Sequence, residues 1–133
     1  WKLDDIYKTV LDGKWTVDKA TEICQIVLGD LNGDSKLVMA DDLFSFTTNH
    51  VQEFFDVFNN SFTTMNNLNL PELTFNNEKS VKIVEKLYKL FYETDGVNLF
   101  DISSKVPYTE SFKMFEENRV LMWSHCLCYA EAL

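Results

Sequence analysis

Apolar residues recur at steps of three and four over most of this chain, the period of helices that bury one face. Leu3, Ile6, Tyr7, Val10 and Leu11 predict a first helix over 3–11, with Asp4 and Asp5 in its first turn and Asp12-Gly13 ending it. Val17, Ala20, Cys24 and Val27 form the stripe of a second, over 17–28, with Ile23 and Ile26 beside it. Thr16 caps its start and Gly29 its end. Val51, Phe54, Phe55, Phe58 and Phe62 predict a third over 51–62, a spacing at which phenylalanines form core. The strongest pattern runs over 77–93, capped by Asn77 and stopped by Asp95-Gly96, with Val81, Ile83, Val84, Leu87, Tyr88, Leu90 and Phe91 on a broad apolar face. Shorter helices are expected over 108–117, with Phe112 and Phe115 inward, and from 124 to 133.

The period changes in a few places. Leu43-Phe44-Ser45-Phe46-Thr47-Thr48 is aromatic and β-branched with rough alternation and predicts a short strand. Residues 120–123 predict a buried one, after a left-handed stop at Asn118, and 73–75 a small one. Seven of the nineteen residues from 59 to 77 are Asn, a composition that favours turns, and 97–107 reads as loop. The fold class is therefore α+β, mainly helical, with a few short strands in a single domain over 1–133.

Composition narrows the function. The 133 residues are 46% hydrophobic, enough for one core without staples. Twelve basic against twenty-one acidic residues leave a charge of −9, with Arg119 the single arginine and no basic cluster. Nucleic acid is disfavoured as a partner because phosphate neutralisation needs such clusters, and an anionic membrane surface is disfavoured for the same reason. No apolar run is long enough to insert this segment directly into a bilayer. Cys24, Cys126 and Cys128 are odd in number and lack ligand spacing, so they read as buried free thiols rather than disulfides or a zinc site. Starting on Trp1 and ending at Leu133 inside an apolar pattern, the chain reads as an excised piece of a longer protein.

Residues 30–42 carry the densest candidate chemistry. Asp30, Asn32, Asp34 and Asp41 fall at the first, third, fifth and twelfth places of a loop, and Asp42, directly after, is a further candidate ligand. That is the spacing with which a twelve-residue loop wraps a hard cation such as Ca²⁺, the seventh residue, Lys36, lending its carbonyl. Ser35 stands at the sharp sixth place where Gly is usual, Val38 at the ninth cannot hold a water, and Asp41 is one carbon shorter than Glu. Weak, structural binding is the expectation, in roughly the tenth-millimolar to millimolar range. A solvated polar turn that binds nothing is the alternative.

Several segments together resemble the extracellular solute-binding proteins of bacterial carbohydrate ABC transporters, in the family-1 style of gut bacteria. They are Asp12-Gly13-Lys14-Trp15-Thr16 opening a helix, the acidic loop leading into Leu43-Phe44-Ser45-Phe46, Asn76-Asn77-Glu78-Lys79 opening a long helix, and residues 112–122, from Phe112-Lys113-Met114-Phe115 through Asn118-Arg119-Val120 to Met122. Val17 and Asn118 depart from that family's usual aromatic and Gly. The resemblance implies one lobe of a type II periplasmic-binding-protein-like two-lobe fold. The intact protein would be a cell-surface lipoprotein that closes on an oligosaccharide and delivers it to an ABC transporter permease. It also implies that Trp123, Ser124 and His125, after the returning strand, approach the ligand; burial of Trp123 as core and His125 as a helix-start residue is the alternative. No nucleophile with a base and no opposed carboxylates stand out, so no enzyme is expected, the adjacent His125-Cys126 lacking an activating partner. The other function class is a calcium-stabilised extracellular protein-interaction module, dockerin-like or EF-hand-like, which would normally repeat the loop that occurs here once.

Overall fold

The computed structural model describes residues 3, 5–51, 53–99, the backbone of 108, and 109–125. The expected helix beyond His125, with Cys126 and Cys128, lies outside the described residues, as does most of the expected loop over 97–107.

The chain is a small α+β domain with elements α1 (Ile6–Leu11), α2 (Val17–Ile26), β1 (Phe44–Thr48), α3 (Glu53–Val57), β2 (Thr63–Met65), β3 (Pro71–Leu73), α4 (Glu78–Tyr92), β4 (Val97–Leu99), α5 (Tyr108–Glu116) and β5 (Val120–Ser124). β1 is the middle of a three-stranded sheet of order β4-β1-β5, parallel to both neighbours. Phe46 pairs with Val97 on one side and Met122 on the other. All five β1 residues are buried, as expected for a parallel strand covered by helices. After β1 the chain returns first to one side, as β4, and then to the other, as β5, so the order of strands reverses at β1.

Phe46 lies in the main core with Cys24 of α2 and Ile83, Leu87, Leu90 and Phe91 of α4. A second cluster joins Phe44 and Val120 to Met114 of α5, which is fully buried. Gly96 ties β4 to β1: its carbonyl accepts the Ser45 amide and hydroxyl, each at 2.9 Å. Its φ of 76° strains any L side chain, and a Cβ there would meet Leu28 Cδ1 at 2.5 Å and push it aside.

Caps agree with the sequence. Thr16 and Asn77 accept the amides of Lys19 and Ser80 at 3.1 and 2.9 Å, and Asn118 is left-handed at φ 56°. Five expectations are corrected. α1 starts at Ile6, with Asp5 as its cap, and its Tyr7 and Leu11 are 84% and 86% exposed rather than on a buried face. α2 stops at Ile26, and Gly29 forms an antiparallel bridge with Leu43 instead of a helix cap. α3 is one short helix within 51–62, because Asn59 turns left-handed (φ 50°) and Asn60 is drawn to Ser80 by a 3.0 Å hydrogen bond. Its phenylalanines still gather, Phe54 on Phe46 and Phe91, Phe55 on Phe62 and Phe75. Fourth, the Asn-rich stretch holds a hairpin, β2 with β3, whose second strand is Pro71–Leu73 rather than 73–75; fifth, 97–99 is a strand, β4.

Candidate functional site

β1 and β5 run side by side in the same direction, so the segments leaving the two strands emerge at the same edge of the sheet. Thr47 pairs with Trp123 and Thr48 with Ser124, which sets Asn49 and His50 beside His125. The His50 amide donates to Thr48 Oγ1 at 3.2 Å, and that hydroxyl donates to the Ser124 carbonyl at 3.4 Å. The two imidazoles then meet edge to face, centroids 5.0 Å apart. Trp123 meets His125 at a tilt, centroids 5.1 Å apart, and packs on Phe112 and Phe115 of α5 at 5.4 and 5.9 Å. His50 Nδ1 lies 3.5 Å from Glu53 Oε1 at the start of α3. Among the described residues, Thr47 Oγ1, Asn49 Oδ1 and His50 Nε2 are buried atoms without a hydrogen-bond partner.

Burial lowers the pKa of His125, the nearby charge of His50 lowers it further, and Glu53 opposes both. At neutral pH His125 is thus a neutral imidazole, able both to donate and to accept. Alternation along β5 separates the three residues expected to act together. Trp123 and His125 face α5 and His50. Ser124, with Met122, lines an apolar hollow of about 220 Å³ bounded by Trp15, Val17, Phe46 and Leu90. Sequence reasoning misses His50, Asn49 and Thr47 as site residues; the signal for them is a polar run, Thr47 to His50, directly after a buried strand.

The acidic loop is at the other end of β1. Its side chains curl the backbone: Asp30 accepts the amides of Gly33 and Ser35 at 2.6 and 2.7 Å, Asn32 that of Asp34 at 2.9 Å, and Asp34 that of Lys36 at 2.8 Å. Ser35 takes the left-handed turn demanded of the sixth place, at φ 63°. Asp41 is exposed, whereas Asp42 is fully buried and accepts the amides of Leu31 and Val38, each at 2.8 Å. The Val38 bond, then the Leu31 bond, holds the Asp42 carboxyl below the usual range. Arg119, bonded to the Met39 carbonyl and to Glu117, fastens the loop's exit to the turn before β5. Among the described residues no three His, Cys, Asp or Glu side chains are gathered as a metal centre. The donor chemistry suits a hard cation, since Asp30, Asn32, Asp34 and Asp41 carry side-chain oxygens in an already curled loop.

No family model matches this chain, and neither a search of curated proteins nor one of solved structures returns a match. Among the described residues no helix is long and apolar enough to cross a membrane.

Proposed function

We propose that the chain is the mainly helical lobe of a non-catalytic solute-binding protein, of the type II two-lobe kind, that captures oligosaccharide outside the cell for an ABC importer. The intact protein is a surface-tethered lipoprotein that hands the sugar to the transporter permease. The observation carrying this reading is the convergence of Asn49, His50, Trp123 and His125 at the carboxyl ends of adjacent parallel strands, where the strand order reverses. Ligands of open parallel sheets bind at such reversals. Indole and imidazole faces suit sugar C–H groups, while the Asn49 oxygen and the imidazole nitrogens suit hydroxyls. Ser124 is placed for a supporting role, through its carbonyl bond with Thr48.

In the same reading a weakly bound structural Ca²⁺ is held by Asp30, Asn32, Asp34, the Lys36 carbonyl and Asp41, and relieves repulsion among the loop carboxylates. Asp42 anchors the loop through its backbone bonds. An EF-hand-like interaction module is the weaker reading, because the loop runs into the buried strand β1 rather than a second helix.

One lobe supplies half a cleft, so the 133-residue chain should bind neutral oligosaccharides only weakly. Nuclear magnetic resonance titration should show shifts confined to the Trp123 indole and the His50 and His125 imidazoles, with a millimolar dissociation constant. No shift at tens of millimolar sugar would remove the carbohydrate assignment, and a micromolar constant would remove the one-lobe assignment.

A further inference from the structure

α4 carries two apolar faces, and its own domain covers one. Ile83, Leu87, Leu90 and Phe91 point into the core. Val81, Val84, Tyr88 and Tyr92 recur at three, four and four residues on the outside, at 57%, 48%, 54% and 66% exposure, with the two tyrosine rings stacked at 5.2 Å. A helix as long as α4, roughly 22 Å, with an uncovered stripe along its whole length is a docking face rather than scattered surface apolarity. The stripe continues past an open hollow of about 380 Å³, lined by Phe75, Asn77, Val81 and Val84. From there it passes to Phe62, stacked on Phe75 at 4.9 Å, and to the exposed Met65, Leu70 and Leu73 of the hairpin.

The geometry points to a second copy of this chain, docked on α4 about a two-fold axis with the two helices antiparallel. Charge selects this occupant and this face. Residues 57–92 hold four lysines against three acidic residues, whereas the remaining chain holds eight basic against eighteen acidic. The face thus lies on a near-neutral segment of an otherwise acidic chain, where two copies repel less than their net charge of −9 implies. An axis crossing α4 beside Lys86 sets Val84 opposite the partner's Tyr88 and Glu85 opposite the partner's Lys89, and by symmetry the reverse. It also sets Val81, on the wall of the hollow, opposite the partner's Tyr92, so each copy lends a ring and offers the hollow that receives it. The surface is complementary to itself, as an isologous interface requires.

Sedimentation velocity of the 133-residue chain from about 10 to 300 µM tests the pairing, with circular dichroism confirming that each variant is folded. A concentration-dependent monomer–dimer equilibrium is expected, weakened at least about tenfold by Tyr92→Ala. Glu85→Lys and Lys89→Glu should each weaken it, because each sets like charges across the axis. Mixing the two single variants should restore dimers, because the mixed pair is again complementary at both contacts, an effect no change within one helix can produce. A monomer throughout the range, a dimer indifferent to Tyr92→Ala, or a mixture no better than its components would overturn the proposal. The test involves no sugar, so its outcome is separate from that of the carbohydrate assignment.

Discussion

His125 shows how position sets the chemistry of a side chain. Burial beside His50 and Trp123 favours its neutral form, so its folded pKa lies below the ordinary value near 6.5. That depression sets the sign of the stability effect. Below about 6.5 the unfolded chain takes up a proton that the folded chain resists, so the stability present above that pH is lost as pH falls through the depressed value. Proton resonance titration of the ring should give a midpoint below 6.5. His50→Gln, which removes the neighbouring charge, should move that midpoint upward; an unchanged midpoint would mean that burial alone acts. None of this is readable from the sequence, where His50 and His125 are seventy-five positions apart. Parallel pairing of β1 with β5 brings them together.

Among the elements, α4 is the most legible, because one helix holds every signal needed to define it. Asn77 caps it, Glu78 lies in its first turn, and its apolar period runs unbroken to the end. Asn77→Ala should lower unfolding stability by about 1 kcal/mol, measured by urea denaturation. A change below a few tenths would mean that tertiary packing alone holds the first turn. The expected helix over 51–62 fails for the opposite reason: the spacing of its phenylalanines is real, but Asn59 and Asn60 sit inside it and are tied to Lys79 and Ser80 on α4. β4 resembles loop in sequence because its three residues carry no period; pairing with β1 makes them a strand. Of the β2–β3 hairpin only a small strand near 73–75 is suggested by the sequence, because its asparagines read as turns; Asn66 builds the hairpin's turn by accepting the amides of Leu68 and Leu70.

For the whole molecule, the acidic loop and the fold it enters are coupled. Asp42 and Arg119 join the loop to β1, α5 and β5, so an ion bound at 30–41 should stabilise the domain and not only the loop. Thermal unfolding in several millimolar CaCl₂ should have a midpoint several degrees above that in excess EDTA, as for binding roughly tenfold above the dissociation constant, about 1.4 kcal/mol. MgCl₂, which demands stricter octahedral geometry, should do much less. Equal midpoints in calcium and EDTA would make the loop a polar turn held by its own backbone bonds.

Sequence by itself determined the helical period of α2, α4 and α5, the N-caps Thr16 and Asn77, the apolar strands β1 and β5, the left-handed turn at Asn118 and the oxygen-rich loop. These are local properties, set by side chains within a few residues of one another. Tertiary structure alone decided that β1 lies between β4 and β5, that a side chain at Gly96 would press on Leu28, and that Trp123 and His125 part company with Ser124. It also placed His50 beside His125 and left one face of α1 and one apolar stripe of α4 uncovered. Each of these depends on strand pairing and burial across tens of residues, where contact rather than spacing determines which side chains meet.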